Sequence, residues 1–222
     1  MEMSNVQTWR RWLPVLSFSS LSLGMLFCRM VYLQNGRFGF LAWNLTLAWA
    51  QLGLAYLLII IINRRGWLNW QTVGVAILWS SFLPNGFYLV TDLVHLNVSL
   101  PATLLFDSVL IISFALSGLI LGCMSLFMVQ ARLRRQFGAA MAWRITLLIL
   151  LLSGFAMYLG RYLGWNSWDL FANPFYILFD LASRFGNASE IAETLRTTSL
   201  FFAFNTVVYV AYYYALTGNE AD

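Results

Sequence analysis

Six long apolar runs joined by short polar connections set the limits on what this chain can fold into. They cover roughly residues 12–33, 41–62, 71–95, 102–128, 143–164 and 190–217. About twenty apolar residues in a helix cross a hydrocarbon core about 30 Å thick. Lipid offers backbone N–H and C=O groups no partner, so each run has to close its own hydrogen bonds as a helix. Charge supports this reading: 10% of the 222 residues are charged, against about 25% in a soluble domain. The expected fold is an all-α integral membrane protein, one membrane domain over residues 1–222 with six transmembrane helices. The first run follows Arg10-Arg11 like a signal peptide, but it stays apolar to Leu33 and is read as a retained helix.

All 13 basic residues are arginine. Without lysine there can be no retinal or pyridoxal phosphate Schiff base and no phosphate-loop lysine. The arginines flank apolar runs, so they read as topology signals and not as a nucleic-acid stripe. Arg10, Arg11, Arg64, Arg65, Arg132, Arg134, Arg135 and Arg144 fall on one side if the N-terminus is cytoplasmic. Both termini are therefore placed inside. Cys28 and Cys123 lie in apolar runs at opposite depths, so no disulfide is expected.

Between the last two runs, Asn173-Pro174 reads as a helix start and Gly186 as its stop. The helix between them is too short to span, which suits an interfacial or re-entrant piece. Asn187 with Glu190 resembles a capping box opening the last run.

Polar residues at membrane depth are costly and mark functional candidates. In the third run Ser81, Asn85, Tyr88, Asp92 and His95 repeat at spacings of four, three, four and three. That places them on one face of an α-helix, with Pro84 set to kink it. Asp107, Arg29, Arg161 and the segment Trp165-Asn166-Ser167-Trp168-Asp169 are expected at a similar height, near the outer boundary. The segments Asn85–Leu93 and Asn173–Leu181 also align without gaps, a weak sign of an internal repeat.

The block Phe82-Leu-Pro-Asn-Gly-Phe-Tyr-Leu-Val-Thr-Asp-Leu-Val-His95, with Arg161 and Trp165–Asp169, resembles the bacterial membrane family called domain of unknown function 1361. The resemblance runs from about the second run to the sixth. It implies that Pro84, Asn85, Tyr88, Asp92, His95, Arg161, Asn166, Trp168 and Asp169 belong to the family's motifs. It implies no chemistry.

The residues themselves favour one outward-facing polar site that binds or processes a lipid or lipid-linked substrate. Asp92, His95, Asp107 and Asp169 are its candidate catalytic groups, and Asn85, Tyr88, Arg161, Asn166 and Trp168 its candidate binding groups. Asp92, His95 and Asp107 are also candidate ligands for a divalent metal, since carboxylates with one imidazole suit Mg²⁺, Mn²⁺ or Zn²⁺. Expected partners are membrane lipids, with a membrane-protein partner in the alternative reading of a structural or assembly subunit. A transporter fits less well, because the inner half of the runs offers little polar lining.

Overall fold

The computed structural model describes residues 5–184 and 186–218, with side chains from Trp12 onward. The chain ends that the charge pattern places inside lie outside the described residues. The elements are α1 (Asn5–Leu33), α2 (Phe40–Arg65), α3 (Trp70–Phe82), α4 (Pro84–Tyr88), a 3₁₀ helix (Leu89–Val98), α5 (Leu104–Tyr162), α6 (Asp169–Ala172), α7 (Pro174–Arg184) and α8 (Ala188–Thr217). No strand occurs among the described residues. Five to six apolar helical stretches are long enough to cross a membrane: α1, α2, the run Trp70–Val98, α5 and α8, with α5 holding two of the expected runs.

Two expected boundaries change. The fourth and fifth runs remain two helices, but they meet at a kink and not across a polar connection: good helix formers such as Gln130, Ala131, Leu133 and Arg134 carry the first helix on toward it. The kink is at Gly138, at φ 82° and ψ 168°, a backbone region essentially closed to residues with a Cβ. The third run is not one α-helix either. Pro84 brings no N–H to the ladder, α3 ends at Phe82, and the backbone tightens into 3₁₀ geometry after Tyr88. Both expected helix starts at the far end are found, but the capping box of Asn187 with Glu190 is only half formed, since the Asn187 N–H donates to Arg184 O and Glu190 Oε1 accepts from Asn187 Nδ2. Asn173 precedes α7, and Asn187 Oδ1 accepts from the Ser189 N–H at the start of α8.

The chain divides into two compact units. The first comprises Met1–Leu52 and Asn85–Gly122. Leu41, Phe87, Leu89, Leu110, Ile111 and Phe114 are fully buried in it. Ser22 Oγ bonds Ser113 Oγ at 3.0 Å and lies 3.2 Å from Ser117 Oγ, pairing hydroxyls that would otherwise face hydrocarbon. Backbones meet at Gly86, where an added Cβ would sit 2.8 Å from Gln51 Nε2 and 3.0 Å from Gly118 O. Small residues permit such approach between spans.

The second unit comprises Gly53–Pro84 and Cys123–Asp222. Trp79 Nε1 donates to the buried Ser125 Oγ at 2.8 Å. Gly154 is the close crossing here: a Cβ on it would lie 2.8 Å from Thr198 O and 2.9 Å from Phe202 N. Tyr209 OH donates to Gln130 Oε1 at 2.5 Å, and Arg134 Nη1 donates to Tyr213 OH at 2.6 Å.

Gly138→Ala is expected to destabilise the detergent-solubilised protein by about 1–3 kcal/mol, the cost of holding a Cβ residue in that backbone region. Gly74→Ala, at an open helical position, is the control, and it should be neutral or mildly stabilising in the same thermal unfolding assay.

Candidate functional site

The sequence candidates divide between the two units. Asn85, Tyr88, Asp92, His95, Asp107 and Arg29 belong to the first, while Arg161, Asn166, Trp168 and Asp169 belong to the second.

In the first unit, the 3₁₀ helix decides how Asp92 and His95 meet. With three residues per turn, side chains at i and i+3 eclipse. His95 Nε2 stands 4.0 Å from Asp92 Oδ1. The Asp92 side chain is 2% exposed and that of His95 37%, so the carboxylate sits behind an imidazole that reaches the surface. Asn44 Nδ2 donates to Asp92 Oδ2 at 3.0 Å and fixes the carboxylate from α2. The edge of Phe40 meets the His95 ring, with centroids 4.8 Å apart. The α-helical stripe expected over Ser81, Asn85, Tyr88, Asp92 and His95 is therefore broken. The i, i+3 pair survives, while Asn85 and Tyr88 lie in α4 and Ser81 in α3.

Asp107 has a different environment. Arg29 Nε donates to its Oδ1 at 2.6 Å and Nη2 to its Oδ2 at 3.2 Å, a two-pronged pair. Arg29 is 6% exposed and Asp107 fully buried. Thr103 Oγ1 adds a bond to Asp107 Oδ2 at 3.2 Å, and the Phe38 ring lies 4.1 Å from the guanidinium carbon. The contact path from Asp107 to His95 runs through Arg29, Phe38 and Phe40, the two phenyl centroids being 6.2 Å apart. Arg37 Nη1 donates to Val98 O at 3.0 Å and ties the α1–α2 connection to the end of the 3₁₀ helix.

Asp92, His95 and Asp107 thus belong to one unit without forming one ligand set. Among the described residues, no three His, Cys, Asp or Glu side chains come together as a metal site would need. Asp107 is the member that does not join, because its oxygens are committed to Arg29 and Thr103.

In the second unit, Asp169 Oδ2 accepts from Asn166 N at 2.8 Å and from its Nδ2 at 3.4 Å, a local turn at the start of α6. Arg161 is partly exposed in the last turn of α5, and Trp168 is 39% exposed. The denser polar arrangement lies next to them. Trp165 Nε1 donates to Asp180 Oδ2 at 2.9 Å, Arg184 reaches Asp180 Oδ1 at 3.3 Å, and its other arm reaches Glu190 Oε2 at 3.1 Å. Desolvation works against the Arg184 charge, but the hydrogen bond and charge of Asp180 outweigh it and raise its pKa. The opposite face of α7 presents Phe175, Leu178 and Phe179, all strongly exposed, as an interfacial helix would.

Sequence reasoning missed several of these groups. Asn44, in α2, is not among the sequence candidates, yet it anchors Asp92. Its signal was a lone carboxamide in an apolar run. Tyr209, Tyr213 and Asn205 line the buried face of α8 at four-residue spacing, a pattern visible in the sequence but hidden among aromatic residues.

Removing one partner of a buried ion pair strands the other charge. Asp107→Ala should cost about 3–5 kcal/mol, whereas Arg29→Met with Asp107→Leu should recover most of that loss. Unfolding of the three proteins in the same detergent checks the cycle, and equal stability of single and double variants would refute the pairing.

A model of a family described as a protein of unknown function (DUF1361) matches residues 43–211, well over half of the chain. No curated protein and no solved structure matches the chain significantly. The match takes in Asn44, Asp92, His95, Asp107, Arg161 and Asp169, and the chain belongs to the DUF1361 family.

Proposed function

We propose that this chain is a six-span protein of the bacterial inner membrane, with both termini cytoplasmic and a short interfacial helix, α7, before the last span. Its Asp92–His95 pair serves a site open to the outer leaflet that binds or processes a lipid or lipid-linked substrate. The observation that carries the reading is the buried Asp92 carboxylate, held by Asn44 directly behind the partly exposed His95. The setting supports it, since 3₁₀ runs longer than three or four residues are uncommon and often mark functional or strained segments, and this one has ten.

The chemistry that follows is acid–base. His95 takes a proton from a substrate hydroxyl or water, and Asp92 steadies the imidazolium that forms. Asn44 keeps the carboxylate oriented throughout. Arg37, exposed at the end of the same 3₁₀ helix, supplies positive charge for a phosphate or carboxylate headgroup.

The test is mass spectrometry of lipids retained by the detergent-purified protein. Wild type should enrich a phosphorylated lipid above its share of the bulk membrane. Arg37→Gln and His95→Ala, still eluting as folded protein, should lose about tenfold of that enrichment, the size of one charge-assisted contact. Unchanged retention in both variants would sink the proposal.

A further inference from the structure

The second unit carries a groove whose lining is part apolar and part cationic. Between the last turns of α2 and the first turns of α3 runs a groove of about 500 Å³. Leu57, Ile60 and Ile61 form one wall, and Arg64 and Arg65 follow at its mouth. Over the eight steps from Leu57 to Arg65 the lining thus passes from apolar to doubly cationic, a rise of about 12 Å along the helix. From α3 come Trp70 and Gln71 near the mouth, with Gly74 and Val75 deeper.

Three further features define the occupant. No lining residue is acidic, so the two guanidinium charges are not neutralised within the groove. Both arginines are exposed, as is Trp70 at 77%, the placement of an aromatic residue at a lipid–water boundary. Gly74 leaves its side of the groove open, for a Cβ there would meet nothing within 4 Å. A glycine in an exposed helix interior costs stability relative to alanine, and here it keeps the channel clear. The volume falls within the range of small-molecule sites.

We propose that this groove binds one anionic phospholipid, its phosphate against Arg64 and Arg65 and an acyl chain along Leu57, Ile60, Ile61 and Val75. Charge complementarity selects the occupant: a zwitterionic lipid offers the arginines a phosphate already paired with its own cation, and an anionic lipid does not. The positive N-terminal end of α3 lies on the same side as the arginines and adds to the preference. With the arginines inside, the lipid comes from the cytoplasmic leaflet, where anionic headgroups concentrate.

Native mass spectrometry of the full chain in detergent, titrated with phosphatidylglycerol or phosphatidylcholine, tests this. Wild type should retain phosphatidylglycerol preferentially. Each arginine removed should lower that retention about fivefold, so Arg64→Gln with Arg65→Gln abolishes the preference while phosphatidylcholine binding stays the same. Gly74→Phe should lose the bound lipid of either kind, with Gly74→Leu as the milder filler should the larger ring disturb folding. Equal binding of the two lipids by wild type, or a preference that survives both the arginine and the glycine variants, would overturn the proposal. Displacement of the lipid by millimolar inorganic phosphate would also overturn it, by making the site one for free anions.

Discussion

Everything in this structure follows from the absence of water around most of it. A backbone in hydrocarbon has to satisfy its own hydrogen bonds, and that requirement turns the apolar runs into helices. Side chains face the same demand. The hydroxyls of Ser22, Ser113 and Ser117 bond one another, Trp79 finds Ser125, and Tyr209 finds Gln130. Arg29 and Asp107 meet the demand with two charges, which only a two-pronged geometry and a third donor from Thr103 make tolerable. Close backbone approach at Gly86 and Gly154 brings the helices near enough for these short side chains to reach.

Against that background the two buried carboxylates of the first unit divide their labour by partner. Asp107 is gripped by a permanent cation and has its oxygens filled, so it is suited to holding α1 against α5 and not to exchanging protons. Asp92 is held by a neutral carboxamide, and the group beside it is the chain's one histidine. The aromatic pair Phe38 and Phe40 links the two arrangements by contact without merging them. Their different partners set them apart: Asp107 is fixed in an ion pair, and Asp92 is the carboxylate on which the proposed chemistry rests.

How much of this the sequence discloses depends on whether a feature is local. Apolar run length announced the helices, and Asn173-Pro174 and Asn187 announced the start of α7 and of α8, because caps act within a few residues. Pro84 announced an interruption but not its form. A wheel at 100° per residue cannot foresee that the next ten residues tighten to 3₁₀, so it grouped Ser81 with His95. The turn at Gly138 was hidden for the opposite reason, since charged residues around Arg132–Arg135 read as a loop although they are good helix formers. Partnerships across the chain, such as Asn44 with Asp92 or Arg29 with Phe38, depend on tertiary placement that no spacing rule encodes.

The 3₁₀ helix is a length as well as a register. At about 2.0 Å per residue its ten residues extend about 20 Å, whereas the same residues wound as an α-helix would extend about 15 Å. That rewinding would also turn His95 about 60° around the axis away from Asp92. The pair therefore measures the pitch of its own helix. Rewinding this segment would offset His95 from Asp92 without parting them, and the Arg37 bond to Val98 O fastens the far end of the segment that sets their register.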